Sequence, residues 1–189
     1  MGKFKLGTYI LFKHDLKQSS INHSHAPGVD VKLLSEQDFS VLPEAFKIIT
    51  PDAGVKFQKG CLCVGVFVNG KCAHVNWVSL SDFYVDEIEK TIKVDAASGY
   101  LFGTFTFPEF RRQHLYSLGF EKLAQELLLQ GKTTVYLLVS NRNSVMLKIQ
   151  QRQKATRIGS LTLLRLGKYR NHILRSSEKS SSSISSFFY

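Results

Sequence analysis

Between Gly99 and Gln130 a strand-forming run passes into a helix-forming run through a short cationic join, and this succession constrains the fold more than any other feature. From Gly99 to Phe107 aromatic and small residues alternate with bulk on both faces (Tyr100, Leu101, Phe102, Phe105, Phe107), the pattern of an interior strand. From Leu115 to Gln130 the apolar residues Leu115, Leu118, Leu123, Ala124, Leu127 and Leu128 suit a helix packed on a sheet, and Gly131 is a natural stop. A buried strand followed at once by such a helix belongs to an α/β domain.

The flanking segments extend this pattern. Cys61 to Val68 and Lys71 to Leu80 are rich in Val, Phe and Cys and enclose Asn69-Gly70, a dipeptide suited to the two positive φ angles of a type I′ hairpin. Thr133 to Ser140 reads as another buried strand, Asn143 as the N-cap of a second helix burying Met146 and Ile149, and Arg157 to Leu166 as a final strand. The expected fold class is α/β, a mixed central sheet flanked by helices, antiparallel at the start and with a parallel pair bridged by the Leu115 helix. Upstream, Ser35 and Asp38 form a possible capping box for a helical segment carrying Phe39, Leu42, Phe46 and Ile49, interrupted at Pro43.

Residues 1–30 show little periodicity and read as a loop with one short strand at Tyr9 to Phe12. Residues 31–175 form the expected domain. Residues 176–189 hold eight serines in fourteen positions and read as a disordered tail. With 43% apolar and 12% aromatic residues, the 189-residue chain can build a full core. No apolar run approaches the ~20 residues of a membrane span, and no secretory leader is read at the start, so no membrane role and residence in the cytoplasm are expected. A net charge of +10 implies attraction to polyanions without choosing among nucleic acid, membrane surface and phosphorylated small molecule, and a plain solvated face is the alternative reading.

The join itself reads Phe107-Pro108-Glu109-Phe110-Arg111-Arg112-Gln113-His114-Leu115-Tyr116-Ser117. A helix opens here with first-turn N–H groups that have no partner within the helix, and two adjacent arginines stand beside them. Unpaired amides, the helix dipole and guanidinium groups together favour a phosphate.

On these residues the sequence resembles the GNAT superfamily of N-acetyltransferases. Its acyl-CoA signature is a strand, Pro-Glu-Tyr-Arg, then Arg/Gln-x-x-Gly-x-Gly/Ala opening a helix. Pro108-Glu109-Phe110-Arg111 stands in the first block, Arg111 leads the second, His114 falls where the first glycine is usual, and Tyr116 where the second is. A second block keeps register: Asn143, Met146, Ile149 and the pair Ile158-Gly159 match the helix and last strand, whereas Lys154-Ala155 replaces the usual Gly-Phe. The resemblance, over Tyr100 to Leu166, implies that the amides from Gln113 to Ser117, with Arg111, Arg112, His114, Leu115 and Tyr116, hold the pyrophosphate of acetyl-CoA or another acyl-CoA. It further implies that Asn143 lines the pantetheine and adenine side, and that an amide near Phe105, Thr106 and Phe107 polarises the thioester carbonyl. The strand of Phe107 and the Thr133 strand would splay to open the cleft.

The implied activity is N-acyl transfer to an amine. The family's common acid, a Tyr seven residues after the Asn, is Gln150 here, so no catalytic residue is assigned. Tyr116 and Tyr136 are alternative acids, and Glu87, Glu89, Asp95 and Glu109 are candidate bases, each equally readable as a surface carboxylate. A domain that binds without turnover is the first alternative. A nucleic-acid binder using Arg165, Lys168, Tyr169, Arg170 and Arg175 is the second, weighed against a plain solvated edge.

Other constellations have plainer readings. Cys61, Cys63, Cys72 and His74 imitate a zinc set, but a two-residue turn pairs Phe67 with Cys72, Gly65 with His74 and Cys63 with Asn76. That sets Cys63 about 13 Å from Cys72, too far for ligands that lie ~2.3 Å from one metal. No metal is expected there, and three cysteines in a self-sufficient core do not suggest a disulfide framework. His23, His25 and Asp30 read as solvated loop residues, and Asn22-His23-Ser24 as a chance glycosylation triplet. Trp77, Phe83 and Tyr84 read as core in preference to an acceptor pocket.

Overall fold

The computed structural model describes residues 4–18, 26–40, 42, 46, 50–177 and 184–189. Its elements are β1 (Phe4–Asp15), β2 (Val29–Leu34), α1 (Glu36–Ser40), α2 (Ala53–Gln58), β3 (Leu62–Val68), β4 (Lys71–Ser79), β5 (Phe83–Val85), β6 (Lys90–Ile92), β7 (Ser98–Thr106), α3 (Leu115–Leu129), β8 (Thr134–Ser140), α4 (Ser144–Arg152), β9 (Thr156–Leu166) and β10 (Tyr169–Ser176). The chain divides into two compact units. One comprises Met1–Asp15, Ser81–Tyr100 and Thr134–Tyr189, the other Leu16–Leu80 and Leu101–Thr133. Strand order is β10-β9-β1-β8 in the first and β7-β4-β3-β2 in the second.

In the second unit the Asn69-Gly70 turn takes the expected form, with φ of 49° and 76°. The β3–β4 register departs from the two-residue extrapolation by one position. Phe67 faces Cys72, but an irregularity between Val66 and Phe67 then sets Val66 opposite His74 and Cys63 opposite Trp77. A bulge absorbs one residue of β4, and an extrapolation from the turn alone does not register it. One face of this sheet carries Cys63, Cys72, Val75 and Trp77 against Phe39, Phe46 and Ala53, with Phe102, Phe105 and Phe107 packed beside them. On the other, Val66 and Ala73 meet Leu115 of α3. The capping box at Ser35 forms: Ser35 Oγ accepts from the Asp38 amide at 3.1 Å, and Asp38 Oδ2 accepts from the Ser35 amide at 2.9 Å. Helix α3 stops at Gly131, whose φ is 74°, with the Lys132 amide returning to Leu127 O at 2.9 Å.

The first unit contains most of what the sequence hid. β1 runs Phe4–Asp15 where only Tyr9 to Phe12 was expected, because it lies between two partners, β8 on one side and β9 on the other. A central strand with ladders on both sides is stabilised by its neighbours and needs little signal of its own. The β5–β6 pair closes around the polar turn Asp86 to Glu89, and β10 follows β9 in a hairpin that the charged residues from Lys168 to Arg175 concealed. Met146 and Ile149 are half-buried, and the buried residue of α4 is Gln150.

Residues 184–189 also depart from the expected disorder. Ile184–Phe187 form a 3-10 turn, and Ile184 and Phe188 are buried. Tyr189 exchanges both backbone hydrogen bonds with Thr91, and the Phe187 ring packs edge-on against Tyr136 at 4.9 Å. Composition misleads here because four apolar residues, Ile184, Phe187, Phe188 and Tyr189, lie among and after the serines. The glycine of Ile158-Gly159 faces this segment: a Cβ there would meet Arg175 O and stand 2.9 Å from Ile184 Cδ1. Asn22, His23, His25, Pro43 and Ile49 lie outside the described residues. Among the described residues no helix is long and apolar enough to cross a membrane.

Ile184→Ala should therefore destabilise the protein by about 2–4 kcal/mol in urea unfolding. A wild-type midpoint would show that the C-terminal segment does not dock.

Candidate functional site

The turn between β7 and α3 lies within the second unit. β7 ends where the Phe107 amide donates to Ala73 O at 3.1 Å. Pro108 then opens a single 3-10 turn, in which the Phe110 amide returns to Phe107 O at 3.0 Å and the Arg111 amide to Pro108 O at 3.3 Å. Proline suits this position because its fixed φ matches the turn and its missing N–H is not required. Arg112 has φ of 67° and His114 φ of 58°, both left-handed, and His114 is the N-cap of α3.

The exposed residues Arg111, Arg112, Gln113 and His114 lead into buried Leu115 and Tyr116. Leu115 reaches the core with Val66 and Ala73, so the start of the helix is anchored while the turn before it faces solvent. The Ser117 and Leu118 amides both donate to His114 O, at 2.9 and 3.4 Å. Ser117 therefore drops out of the set of amides expected to hold a pyrophosphate. Among the described residues, the amides of Arg112, Gln113, His114 and Leu115 have no hydrogen-bond partner. Phe107 likewise drops out as a carbonyl-polarising amide, because its N–H is bonded to Ala73. Arg111 Nε donates to Thr106 O at 3.3 Å, which docks the guanidinium against the end of β7.

The left-handed φ of His114 accounts for the glycine usual at this place. A residue with a Cβ reaches this region at a cost of about 1–2 kcal/mol, and the chain here adopts it with histidine.

The remaining candidates fall in the first unit. Asn143 caps α4, its Oδ1 accepting from the Met146 amide at 3.1 Å. Gln150 is fully buried, with Oε1 2.6 Å from Nε2 of buried His14. Burial lowers the His14 pKa despite this hydrogen bond. The position where the family places a tyrosine is thus spent on an internal polar pair. Tyr136 is buried and its pKa raised, chiefly by desolvation and further by Asp95. Among the candidate bases, Glu89 accepts from Arg165 Nη1 at 2.6 Å and Arg170 Nη1 at 3.3 Å, and Asp95 accepts from the Ala97 amide at 2.9 Å. The Glu89 contacts also bear on the nucleic-acid alternative, since two of its arginines are engaged by a carboxylate.

Cys61, Cys63 and Cys72 are buried thiols with pKa values raised by desolvation, well above the usual value for Cys63 and to about 12 for Cys72. Trp77 is fully buried against Phe39 and Phe57. Phe83 packs on Tyr100, and Tyr84 is exposed.

Beneath α3 lies a polar cluster that the sequence reading did not bring together: His74 and Asn76 of β4 with Thr104 and Thr106 of β7. His74 Nδ1 is 2.7 Å from Thr106 Oγ1, His74 Nε2 is 3.1 Å from Asn76 Oδ1, and Thr104 Oγ1 donates to Asn76 Oδ1 at 3.0 Å. Burial pushes the His74 pKa down to about 4, with the Asn76 hydrogen bond opposing the shift. The available signal was spacing: two polar residues two apart in a strand share one face.

His14 and His74 set a pH dependence. In the unfolded chain both titrate near 6.5, and folding lowers both values, so the unfolded state binds more protons below that pH. Their contribution is complete above about pH 6.5 and is lost as pH falls towards the folded values, about 4 for His74. Urea midpoints should fall between about pH 7 and pH 4.5, and a flat profile across that window contradicts burial of the neutral imidazoles.

No family sequence model and no curated protein matches the chain in sequence. Solved structures do match its fold. A GNAT-family protein from Novosphingobium aromaticivorans aligns over 88% of this chain and 67% of its own, with TM-score 0.59 and 15% identity. A GCN5-related N-acetyltransferase from Kribbella flavida aligns over 80% of this chain and 56% of its own, with TM-score 0.54 and 16% identity. An aminoglycoside N-acetyltransferase solved in complex with CoA aligns over 66% of this chain and 89% of its own, with TM-score 0.50 and 14% identity. Against several of the matched structures the chain spans only 53–63% of their length. At these identities the likeness is one of fold, and it agrees with the strand–turn–helix order at Pro108 to Ser117: the chain is a divergent member of the GNAT fold.

Proposed function

We propose that the chain binds an acyl-CoA at the turn between β7 and α3 and transfers the acyl group, most simply acetyl, to an amine. The observation that carries this reading is the run of amides at Arg112, Gln113, His114 and Leu115. They have no partner among the described residues, they open a 15-residue helix, and two exposed arginines flank them. Such a place suits a pyrophosphate, whose charge the helix dipole and guanidinium groups both favour. The arginines contribute to the +10 charge of the chain.

In the transfer, the amine nitrogen attacks the thioester carbonyl carbon, the C–S bond breaks, and the CoA thiol leaves as the amide forms. The nitrogen gives up one proton overall. Gln150, bonded to His14, supplies no acid for the leaving thiolate. The thiolate then departs without an acid at this position, and the proton lost by the nitrogen passes to water while water protonates the thiolate, so amide and free thiol result. The same observation favours a second reading, a domain that binds acyl-CoA without turnover.

Calorimetric titration with acetyl-CoA separates these readings from a binder of other anions. Saturable binding that Arg111→Ala weakens at least about tenfold supports the site, since one charge-assisted bond contributes about 1.5–3 kcal/mol. His114→Gly should bind as well as the wild type or better, because glycine adopts the same φ without strain. Thiol release with a panel of amines then distinguishes the enzyme from the binding module. No affinity for acetyl-CoA sinks both readings.

A further inference from the structure

His74 and Asn76 stand two residues apart on β4, and neither reaches solvent. Buried polar side chains are costly unless their hydrogen bonds are made, so the partners matter. They also impose a direction. Asn76 Oδ1 accepts from Thr104 Oγ1 at 3.0 Å and lies 3.1 Å from His74 Nε2. A carbonyl oxygen only accepts, so Nε2 carries the ring proton and Nδ1 keeps its lone pair. The Thr106 hydroxyl, 2.7 Å from Nδ1, therefore donates to it.

Thr106 is the last residue of β7, and its own carbonyl oxygen accepts from Arg111 Nε. One residue is thus held by a buried histidine through its side chain and holds the first arginine of the turn through its backbone. Helix α3 packs down on the same pair. A Cβ at Gly119 would stand 2.8 Å from Asn76 Nδ2 and 3.1 Å from His74 Cδ2, and the Tyr116 ring meets His74 edge-on at 6.2 Å. Asn76 Nδ2 has no partner among the described residues and lies under Gly119, so the helix leaves no slack above the cluster.

We infer that His74 is a positioning residue of the anion-binding turn: by accepting the Thr106 hydrogen bond it fixes the end of β7, and with it the place of Arg111. The role rests on the acyl-CoA reading above and goes beyond it, because His74 itself touches no ligand. Valine at position 106 keeps the branched shape and strand preference and removes only the hydroxyl, whereas serine keeps the hydroxyl.

The test is a set of calorimetric CoA affinities, each taken on a variant whose melting temperature is also measured. Thr106→Val should weaken binding about 2- to 10-fold, the range of one hydrogen bond, while Thr106→Ser stays within about twofold of wild type. His74→Leu should match Thr106→Val, and the two together should be no worse than either, as expected for residues acting through one bond. In an Arg111→Ala background, Thr106→Val should change nothing further. If His74→Leu does not fold, the Thr106 and Arg111 variants still decide the matter. Wild-type affinity in Thr106→Val, or losses that multiply in the double variants, overturns the positioning role and leaves the acyl-CoA reading standing. No wild-type affinity for CoA removes that reading and the inference together.

Discussion

The passage from β7 into α3 depends on a backbone conformation that L-residues avoid. Arg112 and His114 both carry positive φ, each at a cost of about 1–2 kcal/mol, and the turn persists because both its ends are fixed. On the strand side, the Phe107 amide is tied to Ala73 and Thr106 to His74. On the helix side, Leu115 is buried with Val66 and Ala73. Between these anchors the amides of Arg112, Gln113, His114 and Leu115 have no hydrogen-bond partner among the described residues. Strain of this kind, held by a rigid surround, is the usual accompaniment of a ligand-binding turn.

The same constraint explains how a departure in sequence leaves the conformation in place. The family's glycine at position 114 is a solution to a φ requirement, and histidine meets that requirement less cheaply. Gln150 is a different kind of departure. It is buried and bonded to His14, so it has become part of the packing of the first unit. Histidine at 114 keeps the left-handed turn, and glutamine at 150 offers no proton donor where the resembled signature carries a tyrosine. This combination is why binding is the better supported half of the proposed activity.

The sequence was most legible where local chemistry dictates local structure. The Asn69-Gly70 turn, the Ser35–Asp38 capping box, the Asn143 cap and the Gly131 stop each depend on a few adjacent residues and appear as expected. It was least legible where partners far along the chain decide. β1 owes its length to β8 and β9, and residues 184–189 are ordered by Thr91 and Tyr136 despite the serines before them. At the site, the arginines and the helix start were readable, because charge and periodicity reveal them. Which amides remain unpaired was not, since the losses of Ser117 and Phe107 follow from bonds to His114 and Ala73. His74 was read only as part of a rejected zinc-like set, and its tie to Thr106 joins residues 32 positions apart and leaves no local mark.

The most direct measurement is an amide NMR titration of the full chain with CoA, resolving each backbone N–H along the turn. Saturable shifts should be largest at Arg112, Gln113, His114 and Leu115, with Ser117 and Phe107 moving less because their N–H groups are already bonded. Shifts centred on the β9–β10 hairpin, or no saturable shift at the four unpaired amides, would contradict the account.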